Sequence, residues 1–276
     1  MRNLVVRIIS SVIAVSLLVG SIYFGKNVLL LMCLLCVCLC FFEFSNFFPK
    51  SQRLSVNEQN LVKRGFIFFG IILFYLASQF PSQTIIIFPL TVMAWTGLLC
   101  WFLARTDNLP ELLSQLNMMI LGFVYCAILP AISVQIINQE NGVSLFLWHL
   151  GIVFGGDIFA YFSGRLFGRH KLHEALSPKK TVEGAIGGLV GSVVFGYGIA
   201  VATGLGLHNP AMVALFLVTA VFAQLGDLFE SFLKRFANLK DSGNIMPGHG
   251  GVLDRIDGVL FSSAVFLFAY NLLIKS

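Results

Sequence analysis

The sequence is short of charge. Only 11% of its 276 residues are Asp, Glu, Lys or Arg, against about a quarter in an ordinary soluble domain. With a hydrophobic fraction of 57% and a mean hydropathy of +0.87, that scarcity excludes a water-soluble globular protein. An integral membrane protein is the expected class. The apolar runs are too many and too long for a signal peptide to explain, and residues 3–24, which could be a signal-anchor, lack an evident small-residue cleavage site. No internal repeat is evident, which argues against an inverted-repeat transporter. A cysteine metal site is missing too: Cys33, Cys36, Cys38 and Cys40 share one apolar run with no His nearby. Free cysteines there behave as small buried hydrophobes. The net charge of +5 does not point to nucleic acid, because the cations lie in loops between apolar runs.

What is present is a series of runs long enough to cross lipid. A bilayer core of about 30 Å needs roughly 20 helical residues. Nine such runs are read, at about 4–24, 28–48, 65–82, 84–105, 116–138, 144–166, 184–206, 210–229 and 252–273. All are expected to be helical, because unpaired backbone cannot sit in lipid, so the expected fold is an all-α polytopic membrane protein. Alternation of nine spans puts Lys50, Arg53, Lys63, Arg64, Arg105, Arg169, Lys171, Lys179, Lys180, Lys234, Arg235 and Lys240 on one side, against Lys26 and Lys275 on the other. The basic side is expected to be cytoplasmic. Residues 1–140 carry few polar groups, whereas 141–276 alternates spans with motif-rich loops.

Three segments carry chemistry. In the run around 155–165, Asp157, Tyr161 and Arg165 recur every four residues and share one helix face. An acid inside a span marks a site or a pathway, or else pairs with a neighbour such as Arg165. Next comes SPKKTVEG, residues 177–184. Pro178 stops any helix from the left, and Thr181 can cap the helix that follows, with Glu183 in its first turn. The free amides of that helix start, with Ser177, Lys179 and Lys180, make an anion cradle; the alternative is that the two lysines only set topology. Gly184, Gly187 and Gly188 allow close helix packing.

The third segment is the densest. Residues 231–257 read SFLKRFANLKDSGNIMPGHGGVLDRID, preceded by Asp227 and Glu230. Asp227, Glu230, Ser231 and Lys234 line one helix face. Lys240 and Asp241 follow, then a PGHGG turn (Gly248, His249, Gly250 and Gly251) whose glycines let backbone amides approach a ligand. Asp254 and Asp257 stand one turn apart on the last helix. With Asp227 they could hold a hard divalent cation that also touches phosphate oxygens. His249 could be a base, a ligand or a phosphate donor.

These residues resemble the phosphatidate cytidylyltransferase (CDP-diacylglycerol synthase) family. Its signature, S-x-aliphatic-K-R-x4-K-D-x-small-x2-aliphatic-P-x-H-G-G-aliphatic-x-D-R-aliphatic-D, is matched from Ser231 to Asp257 at every polar position, with Met246 as a conservative departure. SPKKTVEG resembles the family's S-P-x-K-T-x-E-G, with Val182 where an aromatic residue is frequent. The resemblance implies that CTP and phosphatidic acid give CDP-diacylglycerol and diphosphate, with Mg²⁺ required and K⁺ as a candidate second cation. On that reading Asp227 and Asp254, helped by Asp257, hold the metal, while Lys234, Arg235, Lys240 and Arg255 bind substrate phosphates. Ser177, Lys179, Lys180 and Thr181 hold nucleotide or lipid phosphate, joined by Asp157, Ser231 and Asp241, and the PGHGG turn shapes the nucleotide pocket. A homodimer through the N-terminal spans is implied by the resemblance alone. A bacterial inner membrane, with the active site facing the cytoplasm, is the expected location. The competing readings are a CTP-dependent polyprenol or isoprenoid-alcohol kinase, a diverged CDP-lipid synthase paralogue, and a membrane transporter.

Overall fold

The structure, a computed structural model, describes residues 2–48, 55–103, 109–204 and 211–274. Lys50, Arg53, Arg105 and Lys275, named above for topology, lie outside them. The helices in chain order are α1 (Arg2–Tyr23), α2 (Lys26–Phe44), α3 (Val56–Gln79), α4 (Thr84–Leu103), α5 (Leu109–Phe123), α6 (Leu129–Ile137), α7 (Gly142–Phe167), α8 (Val182–Ala202), α9 (Ala211–Phe236) and α10 (Leu253–Leu273). Among the described residues, eight helical stretches are long and apolar enough to cross a membrane. The chain is therefore a multi-pass membrane protein. Eight of the nine expected runs correspond to these stretches; the other, 84–105, forms α4, a helix of 20 residues with Pro89 inside it.

Two departures from plain helices have local causes. A π-helical turn, Val124–Ile128, joins α5 to α6. Pro130 follows at once; it has no N–H to give the preceding turn and its ring crowds the carbonyl four residues back, which a widened turn relieves. The loop after α7 contains an antiparallel hairpin, β1 (Lys171–His173) with β2 (Ser177–Thr181), in the register Lys171 to Thr181 and His173 to Ser177. The expected all-α fold thus carries a small β element, in the loop whose sequence suggests an anion cradle.

The chain forms two compact units: residues 1–135 with 236–254, and residues 136–235 with 255–276. In the first, Phe41 and Phe44 of α2 and Phe48 just after it pack against Phe66 of α3, Phe47 packs on Phe44, and Phe66 meets Phe123 of α5. The Phe66 and Phe123 rings stack at 5.2 Å. Ser55 opens α3 with a capping box: Ser55 Oγ accepts from the Glu58 amide at 3.3 Å, and the Glu58 carboxylate accepts from the Ser55 amide at 2.8 Å.

In the second unit α7 and α8 lie backbone against backbone. A Cβ on Gly187 would overlap the Ser163 side chain, and one on Gly188 would stand 2.8 Å from Gln224 Nε2 and 3.2 Å from the Ala160 methyl. Without a solvophobic drive between helices in lipid, such close approach of small residues is what holds the pair together. Gly187→Val is expected to destabilise the unit by about 1–3 kcal/mol, seen as a lower thermal midpoint in detergent. Gly198→Ala, on α8 but facing open space, is expected to leave the midpoint unchanged or raised.

Candidate active site

In the second unit the charged residues of α7, the hairpin, α8, α9 and α10 converge. The hairpin is fastened at both ends. Thr181 Oγ1 accepts from the Gly184 amide at 3.1 Å and so caps α8, as the sequence suggests. Glu183, in the first turn of α8, accepts from the Arg169 amide at 3.0 Å and pairs with His170 Nδ1 at 2.6 Å. Lys171 Nζ donates to the Pro178 carbonyl at 2.6 Å. These ties place Lys180 so that its ammonium meets Asp227 Oδ2 of α9 at 2.5 Å.

Around that pair lie three more acids. Asp157 of α7 interacts with Asp227, Lys180 and Arg255. It does not use the Arg165 partner left open by the spacing, since Arg165 Nη1 donates to the Tyr161 hydroxyl at 3.1 Å. Asp257 is 9% exposed and faces both Asp227 and Glu230, while its Oδ1 accepts from the Gly258 amide at 2.8 Å. Glu230 is fully buried and bonds Lys234 Nζ one turn on at 2.7 Å. Ser231 is buried beside it on α9; Ser177 is partly covered on β2, and Lys179 and Arg235 are exposed.

Among the described residues, no group of three or more His, Cys, Asp or Glu side chains is arranged to hold a metal ion. The donor chemistry nevertheless suits a hard cation. Mg²⁺ usually takes one or two carboxylates and completes its shell with water and substrate phosphates. The Lys180 ammonium already occupies one such position against Asp227.

The PGHGG loop and the start of α10 belong to the first unit, where an acid outside the sequence motifs organises them. Glu43 of α2 is fully buried. Its carboxylate accepts from the Val252 amide at 3.0 Å and the Leu253 amide at 2.8 Å, and at 3.3 Å it shares with Asp254 the single proton of Ser242 Oγ. Opening amides of a helix have no intrahelical acceptor, and a negative charge there is favourable. Beside it, Asp254 Oδ2 accepts from the Ser242 amide, Ser242 Oγ and the Gly251 amide at 2.9, 2.9 and 2.8 Å. One oxygen of the proposed metal ligand is thus committed to shaping its own loop. Gly250 has φ +85°, and a Cβ there would stand 2.7 Å from Asp254 Oδ2; Gly248 is also left-handed, at φ +78°. These glycines are required by backbone conformation. His249 lies against α1, with Nδ1 2.7 Å from Ser10 Oγ and Nε2 3.3 Å from Ser11 Oγ, which makes it a tether of the loop. Lys240 and Asp241 are exposed.

Residues 5–273 match the model of the cytidylyltransferase family. The chain belongs to that family. Its similarity to curated members is concentrated in part of the sequence: 40% identity over 124 residues with the phosphatidate cytidylyltransferase of Staphylococcus haemolyticus (strain JCSC1435), covering 45% of this chain and 48% of that one. With the phosphatidate cytidylyltransferase of Bacillus subtilis (strain 168) the identity is 42% over 135 residues, 49% of each chain. The chain thus spans about half the length of the curated relatives it matches. Family membership accords with the motif content of 177–184 and 227–257, and the acids of this cytidylyltransferase-family chain meet the cations at helix ends.

Proposed function

We propose that the protein is a phosphatidate cytidylyltransferase: an oxygen of the phosphatidic acid phosphate attacks the α-phosphorus of CTP, the bond between the α-phosphorus and the bridging oxygen breaks, and diphosphate leaves. The observation that carries this reading is the meeting of Lys180 with Asp227, ringed by Asp157, Asp257 and Arg255, in a chain of the cytidylyltransferase family. Both substrates are polyanions, so the difficulty is bringing phosphates together rather than making a strong nucleophile. Preorganised cations supply that stabilisation best. The lipid phosphate is largely ionised near neutral pH, so no side chain need act as a strong base.

Lys180, Lys234 and Arg255 would neutralise phosphate charge in the second unit, with Arg235, Lys179 and Ser177 close along the chain, and Lys240 would do so from the first. In the second unit Asp227 and Asp257 would hold Mg²⁺, which when bound withdraws charge from the phosphates and the departing diphosphate; in the first, Asp254 would offer its other carboxylate oxygen to a cation. Lys180 is set to exchange Asp227 for a phosphate oxygen when substrate arrives. The acyl tails would stay in the bilayer while the headgroup enters from the cytoplasmic side of a bacterial cell membrane, and a homodimer through the N-terminal helices belongs to the same proposal. Purified protein in detergent, given CTP and phosphatidic acid, is expected to release diphosphate with Mg²⁺ and to stop when the metal is chelated. Undiminished release in excess chelator would remove the metal from the mechanism.

A further inference from the structure

A cavity of about 740 Å³ in the first unit has no role in the phosphate chemistry above. Its walls come from the end of α2, the first turns of α3, α5 and the loop 239–244. Asn46, Gln59, Asn60, Lys63, Gln115 and Asn244 line it, with Phe48 and Val62 as apolar walls. The volume is that of a small-molecule site, and its chemistry is selective. Carboxamides both donate and accept, so the lining suits an uncharged polar group that does the same. It does not suit an acyl chain, and one lysine beside Asp241 makes a poor triphosphate site.

Gln115 sharpens the assignment. It is 4% exposed, yet its Oε1 has no hydrogen-bond partner among the described residues. A buried amide oxygen without a donor carries a desolvation penalty that a ligand N–H would remove. Of the pieces of the two proposed substrates, only the nucleoside end of CTP is uncharged and carries both donors and acceptors: an exocyclic amine, with a ring nitrogen and a carbonyl beside it. Ser242 also lines the cavity, and its amide and hydroxyl hold Asp254. A nucleoside seated here would therefore touch the loop that positions a proposed metal ligand.

We infer that this cavity is the cytosine-reading subsite, in which the exocyclic amine of the base donates to Gln115 Oε1 while the surrounding carboxamides and Lys63 meet the other ring atoms and the ribose. The inference rests on the CTP-using reading above. Equilibrium titration of the full-length protein in detergent, with Mg²⁺ and no lipid acid, compares CTP with UTP, which lacks that amine. Wild type is expected to bind CTP about tenfold or more tightly than UTP, the worth of one good hydrogen bond in a site left unpaired by the wrong base. Gln115→Leu is expected to weaken CTP about tenfold and bring the two nucleotides level, with the thermal midpoint little changed. Should that variant fail to fold, Gln115→Met, which removes the same acceptor from the same position, carries the same test. Wild type that binds neither nucleotide would sink the CTP-using reading itself. Wild type that binds both equally, or a variant that folds and keeps full CTP preference, would overturn the cavity assignment and leave that reading standing.

Discussion

Asp227→Asn is expected to lower kcat by about 10²–10³-fold, the usual effect of removing one electrostatic element aimed at developing charge, while expression and thermal midpoint stay near wild type. The two halves of that expectation rest on different observations. The Asp227 side chain is 39% exposed and that of Lys180 27%, and a pair this accessible is worth only about 0–1 kcal/mol to the fold. Its place among Asp157, Asp257 and Arg255 is where phosphates would need both a metal carboxylate and a mobile cation. Lys180→Gln should show the same split, with the loss partly in KM. If the pair were only a structural bridge, Asp227→Asn, Lys180→Gln and the double variant would all turn over within a few-fold of wild type. Steady-state kinetics on the three, with thermal midpoints measured in parallel, separates the two outcomes.

The second large effect is expected at Glu43. Glu43→Gln keeps the shape but replaces one carboxylate oxygen by an NH₂, and each oxygen now accepts from a backbone amide, Val252 on one and Leu253 on the other. At least one buried partner is then left unsatisfied, at a cost of about 1–3 kcal/mol, or roughly 2–4 °C per kcal/mol for a protein of this size. Because Ser242 also holds Asp254, the loss should reach turnover as well, with kcat falling more than stability alone explains. Glu43→Ala should be worse, since it removes both acceptors and leaves a gap beside Gly243 and Gly251. Kinetics at a temperature well below the midpoint distinguishes the roles: wild-type kcat in a folded Glu43→Gln protein would reduce Glu43 to a packing residue.

Glu43 also marks where sequence reasoning stopped short. The rule that an ionisable group inside a span is costly and functional by default drew attention to Asp157, and the same rule applies to the lone acid in CLCFFEF. Its role is not legible in sequence, because its partners include backbone amides some 200 residues away, and amides leave no trace in a motif. The opposite holds for 227–257 and 177–184, where chemistry is concentrated in side chains at helical spacing; there the Thr181 cap, the shared face of Asp227 with Glu230 and Lys234, and the close seam at Gly187 and Gly188 could all be read directly. The hairpin escaped because strands of three and five residues are too short to show alternation. The role of His249 was open in the sequence, since only the fold brings Ser10 and Ser11 to its ring.

The most direct test of the central claim follows the phosphorus of CTP. With CTP labelled at the α-phosphorus and phosphatidic acid in mixed micelles, the label is expected in a lipid product that is CDP-diacylglycerol, while a γ-label appears only in diphosphate. Transfer of the γ-label to lipid, with CDP released, would contradict the account and identify a kinase instead.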